Sequence, residues 1–512
     1  MKVYISIFLI LCLSVPVLAQ SESGTDSLLR EQQEQQQLRL SMTSIGLLEW
    51  AGTDSYGLTE LVVRQEEGSF RRAQEAYSRQ SVSFYSEGLK RLGRFSLAGS
   101  FLFDRQSEDS LANTLDGFFN ELKPFYYFAG KHGEYERQRY DLNALMSYSL
   151  IPEKIYIGLG ADYQKDASTG SVDPRTEVNS FSLLLKPEVS MRTGNHQISA
   201  GAIWGYGNEE AGVAYKNDDF KHSLLYPDRI YYSNQGYGFL VIRDTAVLRR
   251  YDRHVGWTLS YQTQLNRWNV QARMRHLISN TDNTHSTRTR KDYFTRSSFR
   301  KEDISAAVLI SEEHDKRRQQ FELTVLNQSG QDFNSVFQAH NYSAVNRDYF
   351  LSYSYQRKQN ERWQPEMGAS LRYRHLMKED LAADHYFMAQ TVQPGLVFAS
   401  SHRFQNADRL RISLSPSYRI PLNTEVVVPP TQENVFTETV VYPDYYYFSA
   451  EVLEISAGAE YISNHLLQQV PLGIFADIQY LNQNNRDQSV LNARTIPSGN
   501  RYFFNFGIRI YL

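Results

Sequence analysis

Cysteine is nearly absent from this chain, since Cys12 is the only one among 512 residues. That scarcity excludes a disulfide framework and a zinc site built from cysteine pairs. Beyond the N-terminus there is also no run of about 18 apolar residues, the length that a membrane-spanning helix requires. The 54 lysines and arginines nearly balance the 57 aspartates and glutamates. Without an excess of positive charge, we expect no nucleic-acid partner.

The N-terminal residues 1–19 have the features of a cleaved signal peptide. An early lysine precedes an apolar stretch, and Val17 and Ala19 occupy the small-residue positions that a signal peptidase reads. The apolar stretch is too short for a transmembrane anchor, and Pro16 interrupts it. We therefore predict export with cleavage before Gln20, which leaves a mature chain without a thiol.

What the sequence has in quantity is aromatic residues, with 35 tyrosines and 28 phenylalanines. Its mean hydropathy is nevertheless −0.50. Two classes of exported protein combine these properties. One is a soluble extracellular β-protein. The other is an outer-membrane barrel, in which polar loops and a polar lumen dilute the apolar outer face.

Residues 20–55 are polar and of low complexity, as in the stretch R-E-Q-Q-E-Q-Q-Q-L-R-L at 30–40. The composition favours a helix over 26–50 that has only a ragged apolar stripe. Three interpretations fit it: a periplasmic tail, a plug-like segment tucked into a pore, and a flexible linker.

From about Tyr56 onward, apolar and polar residues alternate with a period of two, which is the pattern of half-buried β-strands. The apolar faces run for about 9–11 residues, the length of a tilted strand that crosses a bilayer. Several faces begin or end in tyrosine or tryptophan, as expected at a membrane interface. Clear examples lie at 140–150, 155–163, 198–206, 255–265, 410–420, 453–461 and 470–480.

The connections between these strands alternate in length. Short connections are predicted at 89–92, 151–153, 192–196, 266–267, 313–318, 359–363, 401–407 and 463–467. Long ones are predicted at 67–78, 105–134, 166–176, 207–249, 280–300, 329–346, 377–384, 420–445 and 482–499. Tight periplasmic turns and long outer loops are typical of membrane barrels, whereas a soluble sandwich has no reason to separate them. The sequence therefore predicts an all-β transmembrane antiparallel up-and-down β-barrel over 56–512, with about 18 strands (range 14–18) and periplasmic termini.

The final residues, R-Y-F-F-N-F-G-I-R-I-Y-L at 501–512, place Phe506 and Ile508 on a wholly apolar face of the closing strand. This stretch resembles the C-terminal recognition signal of bacterial outer-membrane proteins, although Leu512 stands where those usually have phenylalanine. The alternation over 56–512 resembles the uncharacterised, porin-like outer-membrane β-barrel families of gram-negative bacteria. That resemblance implies a location in the outer membrane, surrounded by its lipid. It also implies assembly by the barrel-assembly machinery through 501–512 and a nutrient-uptake receptor as a candidate partner.

A barrel of this size leaves an aqueous interior, and the phase of each strand nominates charged residues that line it. Arginine and carboxylate ladders that face each other across a constriction would orient polar solutes. This pattern predicts a channel for passive or weakly selective passage of small polar solutes. Alternatively, the charges pair with one another around a plug. The lumen-lining candidates are Arg137, Arg139, Arg273, Arg275, Arg372, Arg374, Arg411, Arg419, Asp162, Glu366 and Asp477.

The predicted outer loops carry aromatic clusters, such as D-R-I-Y-Y-S-N-Q-G-Y-G-F at 228–239 and Y-P-D-Y-Y-Y-F at 442–448. Aromatic rings among polar loop residues can stack on sugars or apolar ligands. Alternatively, they are the outer ends of strands that enter the lipid headgroup region. The loop ligand candidates are Tyr231, Tyr232, Tyr445 and Tyr446. They support a second hypothesis, a closed barrel that acts as a surface binding or assembly platform.

Catalysis is not expected from this sequence. His276 and Ser279 lie close together in the chain, but strand phase puts them on opposite faces, so they cannot pair as base and nucleophile. The sequence contains no H-E-x-x-H motif, no G-x-S-x-G motif and no glycine-rich phosphate loop. We therefore predict no catalytic residues, no metal and no other cofactor.

Overall fold

The structure is a computed structural model. It describes residues 32–221, 224–242, 246–287, 290–314, 317–357, 362–406, 408–467, 470–485, 487 and 489–512. The predicted signal peptide and residues 20–31 of the predicted N-terminal tail lie outside the described residues.

The described chain consists mostly of β-strands. In chain order they are β1 (Ser55–Gly68), β2 (Ser78–Leu92), β3 (Phe95–Leu111), β4 (Phe125–Phe128), β5 (Gly133–Ile151), β6 (Ile155–Gly170), β7 (Arg175–Thr193), β8 (His196–Ala214), β9 (Tyr232–Gln235), β10 (Leu240–Ile242), β11 (Ala246–Leu265), β12 (Trp268–Thr287), β13 (Arg290–His314), β14 (Arg317–Asn334), β15 (Tyr342–Arg357), β16 (Trp363–Asp380), β17 (His385–Arg403), β18 (Arg409–Val427), β19 (Glu451–Leu467), β20 (Val470–Asn485) and β21 (Asn500–Tyr511). The α-helices are α1 (Gln32–Ser41), α2 (Ile45–Leu48) and α3 (Tyr442–Phe448), and a π-helical turn at Thr437–Val441 leads into α3. Single 3-10 turns lie at Asp218–Phe220, Pro227–Arg229 and Pro430–Gln432. Among the described residues, no helix is long and apolar enough to cross a membrane.

Eighteen of the strands form one closed antiparallel sheet. Each strand pairs with its neighbours along the chain, and β21 returns to pair with β1 from Leu58↔Tyr511 to Gly68↔Arg501. Closure leaves no strand edge, as a barrel requires where backbone groups cannot reach water. The predicted antiparallel barrel of about 18 strands is therefore confirmed. The other three strands, β4, β9 and β10, form a separate small sheet.

The two faces of the barrel wall differ in polarity. On β21, Phe504, Phe506 and Ile508 point outward, and Phe506 is 46 % exposed. The next residue after Ile508, Arg509, points inward, where its Nε lies 2.6 Å from Glu60. Trp204 on β8 is 60 % exposed on the outer face. Lipid is the environment in which a continuous band of large exposed apolar side chains is stable.

The two rims of the barrel differ in their connections. One rim, which we call the turn rim, carries short turns such as 93–94, 152–154 and 194–195 and both ends of the barrel sequence. Gly93 has φ +60° in the first of these turns, a left-handed conformation that glycine adopts without strain. The opposite rim, the loop rim, carries the long connections 112–132, 215–245 and 428–450.

Three of the connections predicted to be long are short in the structure. Strands β6 and β7 leave only 171–174 of the predicted loop 166–176, and β16 and β17 leave only 381–384 of the predicted loop 377–384. Strands β12 and β13 extend through most of 280–300. Outward side chains are polar here, as shown by the ion pair between Arg253 and Asp282 at 2.8 Å. The strands therefore continue above the apolar band into water. Loss of the apolar alternation marks the membrane boundary and not the end of the strand.

The closing strand tests the assignment of the two faces. Phe506→Arg puts a charge on the outer apolar band, and we expect it to destabilise the folded barrel by about 2–4 kcal/mol in lipid vesicles. Asn505→Arg introduces the same side chain one position away, on the inner face opposite Asp477, and should cost much less. Equilibrium unfolding of both variants measures the difference. Equal destabilisation would contradict the assigned faces.

Candidate functional site

The N-terminal segment lies inside the barrel near the turn rim. The hydroxyl of Ser44 donates a hydrogen bond to Glu188 on β7, and its Oγ lies 2.6 Å from Ser260 Oγ on β11. The backbone N–H of Ile45 donates to the same glutamate at 3.3 Å. Arg39 forms an ion pair with Glu87 of β2 at 3.0 Å. On β14, which lies opposite β2 in the ring, Gln320 donates to Gln36 at 2.6 Å. Residues 35–50 therefore span the lumen between strands on opposite sides.

Apolar packing also holds this segment. Leu38, Ile45 and Leu48 are buried in one cluster with wall residues such as Tyr156. Gly158 allows the close approach, because a Cβ there would lie 2.5 Å from Ile45 Cγ2. Together these contacts narrow the barrel at the turn rim with the chain's own residues.

At the loop rim, the long connections fold into the barrel as an outer cap, which we define as residues 112–132, 224–242 and 428–450. The small sheet of β4, β9 and β10, the π-helical turn and α3 belong to it. Phe128 and Phe436 from the cap share a buried cluster with Phe387 on the barrel wall. This part of the cap therefore packs against the inner wall, whereas Leu224 and Leu225, at the start of another cap segment, are 88 % and 84 % exposed.

The predicted loop ligand candidates lie within this cap. The ring of Tyr231 is 1 % exposed, and those of Tyr445 and Tyr446 are also buried. Tyr232 is partly buried against the same apolar cluster. In this structure their rings serve as packing inside the cap and are not presented at the outer surface. A ligand-binding role for them stays a prediction.

Buried charges fasten the cap to the wall. The guanidinium of Arg72 contacts Glu121 at 2.6 Å and Asp444 at 2.7 Å, and Lys378 on β16 contacts Glu121 at 2.8 Å. Burial alone would raise the pKa of the Glu121 carboxyl, but Arg72 and Lys378 hold that pKa well below its usual range. One arginine thus joins the loop after β1 to two segments of the cap.

The barrel places all eleven lumen-lining candidates on its inner face, as the register of opposed residues shows. Six of them pair with a carboxylate or amine on the wall. The distances are 2.7 Å for Arg137–Glu108, 2.9 Å for Arg139–Asp166, 2.5 Å for Asp162–Lys186 and 2.8 Å for Arg411–Glu366 and Arg372–Asp348. Most of these charges therefore form ion pairs along the wall. Their contacts do not form the predicted arginine and carboxylate ladders that face each other across the lumen.

The remaining candidates are less fully satisfied. The buried Nε atoms of Arg273, Arg275 and Arg374 have no hydrogen-bond partner. Arg419 donates to the backbone carbonyl of Tyr447 in the cap at 2.8 Å. Arg372 is 50 % exposed although it points inward, so the interior beside it has room for water. A solute path along these residues stays a prediction.

The pair His276 and Ser279 lies on opposite faces. His276 contacts Glu302 at 2.6 Å on the outer face. Ser279 points inward, where its Oγ lies 2.8 Å from His254 Nδ1. Sequence reasoning missed this inward pair, although both residues fall on the inward phase of adjacent strands. Within the described ranges, no group of three or more histidine, cysteine or acidic side chains is placed to hold a metal ion.

Three cavities lie between the wall and the segments that fill it. Two flank residues 117–120 of the cap, with volumes of about 360 and 320 Å³. A third, of about 290 Å³, lies beside α1 and is lined by Arg411, Asp477 and Arg509. These cavities are the spaces inside the barrel that a polar solute can occupy.

A closed barrel with an apolar exterior and a charged interior defines an outer-membrane type of β-barrel. Residues 45–512 match a family model described as a family of unknown function (DUF6850), and the chain belongs to this family. No curated protein matches the chain.

Solved structures similar to this chain are also barrels of outer-membrane transport proteins. The ferric citrate transporter FecA, unliganded, matches with a TM-score of 0.40 and 11% identity over 89% of this chain and 79% of that one. OccAB3 of Acinetobacter baumannii matches with a TM-score of 0.36 and 9% identity over 90% of this chain and 100% of that one. The CymD monoaromatic hydrocarbon channel matches with a TM-score of 0.33 and 10% identity over 93% of this chain and 92% of that one. Such TM-scores, below 0.5, carry no information about what this barrel binds or passes.

The buried cluster at Arg72 gives a stability prediction. Arg72→Met leaves two buried carboxylates without their shared cation, and we expect the cap to open more easily by about 3–5 kcal/mol. The backbone amide of Leu115, which donates to Tyr127 across the cap, reports this opening by hydrogen exchange. Arg71→Met is the control, since the Arg71 guanidinium donates to the backbone carbonyl of Glu75 and contacts neither Glu121 nor Asp444. Unchanged exchange in Arg72→Met would show that these charges do not hold the cap.

Proposed function

We propose that this protein is an outer-membrane channel for passive or weakly selective passage of small polar solutes, narrowed by its own N-terminal segment. The observation that carries the proposal is the half-exposed charge on the inner wall. Arg372 is 50 % exposed and Arg64 is 49 % exposed, although both point into the barrel. A barrel interior that leaves charged side chains in contact with water is suited to polar solutes and not to apolar ones.

The constriction that we assign to the proposed path lies beside α1. There the cavity of about 290 Å³ separates Arg39 of the helix from Arg411 and Asp477 of the wall. A cavity of this size holds several waters or a small solute, so we infer slow passage in this state. Displacement of the N-terminal segment would widen the path.

The N-terminal segment is the more easily displaced of the two constrictions. Its ion pair joins the buried Glu87 to Arg39, which is 47 % exposed, so water reaches one partner of the pair. An isolated helix as short as the ten-residue α1 is also marginal by itself. The outer cap, in contrast, is fastened by the buried charges of Arg72 and its carboxylates. We therefore assign gating to the N-terminal segment.

The alternative function, a surface binding or assembly platform, has less support. It requires long loops that project outward, whereas the aromatic residues of the cap pack inward. The predicted partners remain outer-membrane lipid around the apolar band, the barrel-assembly machinery at 501–512 and a nutrient-uptake receptor. The predicted location is the outer membrane.

Single-channel conductance in a planar bilayer tests the proposal. We expect the mature chain to carry a small current, and a variant lacking residues 20–53 to carry a current several times larger, because the segment at the turn rim is gone. Heat-modifiable migration on gels confirms that both barrels are folded. No current from either folded barrel would contradict the channel function and favour the platform.

Ion selectivity tests the lumen residues. Replacing Arg372 and Arg374 together by glutamate reverses inward charge, so the reversal potential in a salt gradient should shift toward cation selectivity. Arg347→Glu is the matched control, since Arg347 is exposed on the outer face opposite His375. A reversal potential that is the same in all variants would exclude Arg372 and Arg374 from the path.

A further inference from the structure

We propose that the cavity beneath the outer cap binds a small polar solute that carries an oxyanion, an acidic sugar by chemical class, through the free edge of the Arg250 guanidinium. The cavity has a volume of about 360 Å³ and lies between residues 117–125 of the cap and the inner wall. The inference rests on the proposed channel function and names the class of solute that it favours.

Polar residues line the wall of this cavity in three directly opposed, inward-facing pairs from β11 and β12. They are Arg250↔Asn283, Asp252↔Thr281 and His254↔Ser279. In two of these pairs the two residues contact each other, because the Thr281 hydroxyl donates to Asp252 and His254 lies within hydrogen-bond distance of Ser279. In the third pair, Arg250 and Asn283, the side chains do not hydrogen-bond to each other. This pair lies toward the loop rim, at the cap.

The Arg250 side chain is only 7 % exposed, and its Nη1 lies 3.0 Å from Glu209 on β8. Glu209 is held in turn by Lys123 of the cap at 2.9 Å. The Nε and Nη2 atoms of Arg250 are buried without any hydrogen-bond partner. Their N–H groups lie along one edge of the planar guanidinium, with the spacing that binds both oxygens of a carboxylate or phosphate. The arginine is therefore oriented by Glu209 and presents an unused anion-binding edge.

Asn283 adds neutral hydrogen-bonding groups beside this edge. It is 2 % exposed, and neither its Oδ1 nor its Nδ2 has a partner. Buried polar atoms without partners are unfavourable, so in this cavity wall water or a ligand satisfies them. The amide donates to an oxyanion and accepts from a hydroxyl. The buried Nε2 of His254, further down the wall, is also without a partner. A solute with hydroxyl groups next to its acid group matches this set.

The shape of the cavity is compatible with such a solute. Four cationic and three carboxylate side chains line the cavity, and two of the cations, Lys123 and Lys301, also pair with Asp116 and Asp303 outside the lining. The preference for an anion therefore rests on the free edge of Arg250 and not on an excess of positive charge. The cations are Lys123, Arg139, Arg250 and Lys301, and the carboxylates are Asp166, Glu209 and Asp252. Phe119 of the cap is 48 % exposed and lines the same cavity. Its ring offers a flat apolar surface of the kind on which the carbon face of a sugar packs.

Calorimetric titration of the folded mature chain in detergent tests the proposal, with D-glucuronate, D-glucose and glucose 6-phosphate as probes. We expect saturable binding of glucuronate and binding of glucose at least about tenfold weaker, because charge-assisted bidentate bonds are the strong ones. Tighter binding of glucose 6-phosphate than of glucuronate would identify phosphate as the preferred oxyanion. Glucose binding as tight as that of both anions would overturn the proposal.

Variants identify the residue. Arg250→Lys keeps the charge and removes the two-pronged edge, and we expect at least about tenfold weaker binding. Arg249→Lys is the matched control. Arg249 is the neighbour of Arg250 on β11, but it lies on the outer face and pairs with Glu210 of β8. Binding that Arg250→Lys leaves unchanged in a folded barrel would overturn the proposal.

The two proposals fail separately. Binding in a barrel that carries no current would contradict the channel and leave the oxyanion site standing. Current without saturable binding of either anion would contradict the site and leave the channel standing.

Discussion

The return of β21 to β1 is the interaction on which the rest of the structure depends. Inside a bilayer no water is available to backbone N–H and C=O groups, so an open strand edge is not tolerated. The register from Leu58↔Tyr511 to Gly68↔Arg501 closes the ring with eighteen strands. A ring of that size is too wide for wall side chains alone to fill. Its interior must hold water, inserted segments of chain, or both.

This barrel uses both, and the two insertions differ in kind. The outer cap is fastened by buried ion pairs around Arg72, in which loss of one partner leaves charges without compensation. The N-terminal segment is held by hydroxyl contacts of Ser44, by apolar packing of Ile45 and by one ion pair whose arginine is half-exposed. Buried ion pairs suit a permanent constriction, which we assign to the outer cap. The contacts of the N-terminal segment suit a constriction that opens, and this segment lies beside the charged cavity at α1.

The outer wall could be predicted from sequence because alternation is a local property. The outward positions of Phe506 and Ile508 follow from strand phase alone, and so does the inward position of Arg372. The interior could not be predicted in the same way. The contact between Arg72 and Asp444 joins residues 372 positions apart, and no periodic signal connects them. Strand phase does not say whether an inward arginine meets a carboxylate, as Arg372 does, or is left with a free edge.

The loops show the same division between local and distant information. The short connection predicted at 89–92 lies too early in the chain, because β2 continues to Leu92 and the turn is made at 93–94, where Gly93 has φ +60°. The inward folding of α3 is not a local property, since it depends on Phe387 and other wall residues that only the closed barrel brings near. Polar extensions of strands, such as those of β12 and β13, were not predicted because apolar alternation ends where a strand leaves the membrane.

The central claim is that the N-terminal segment closes a path through this barrel, and a reversible tether tests it most directly. Cys12 is the only cysteine of the chain, so Ser44→Cys with Ser260→Cys, in a protein that begins at residue 20, introduces the only thiols, at positions whose Oγ atoms lie 2.6 Å apart. We predict low single-channel conductance with the disulfide formed and more frequent or larger openings after reduction, with neither change in the two single variants. Conductance that is the same in the oxidised and reduced states would contradict the account.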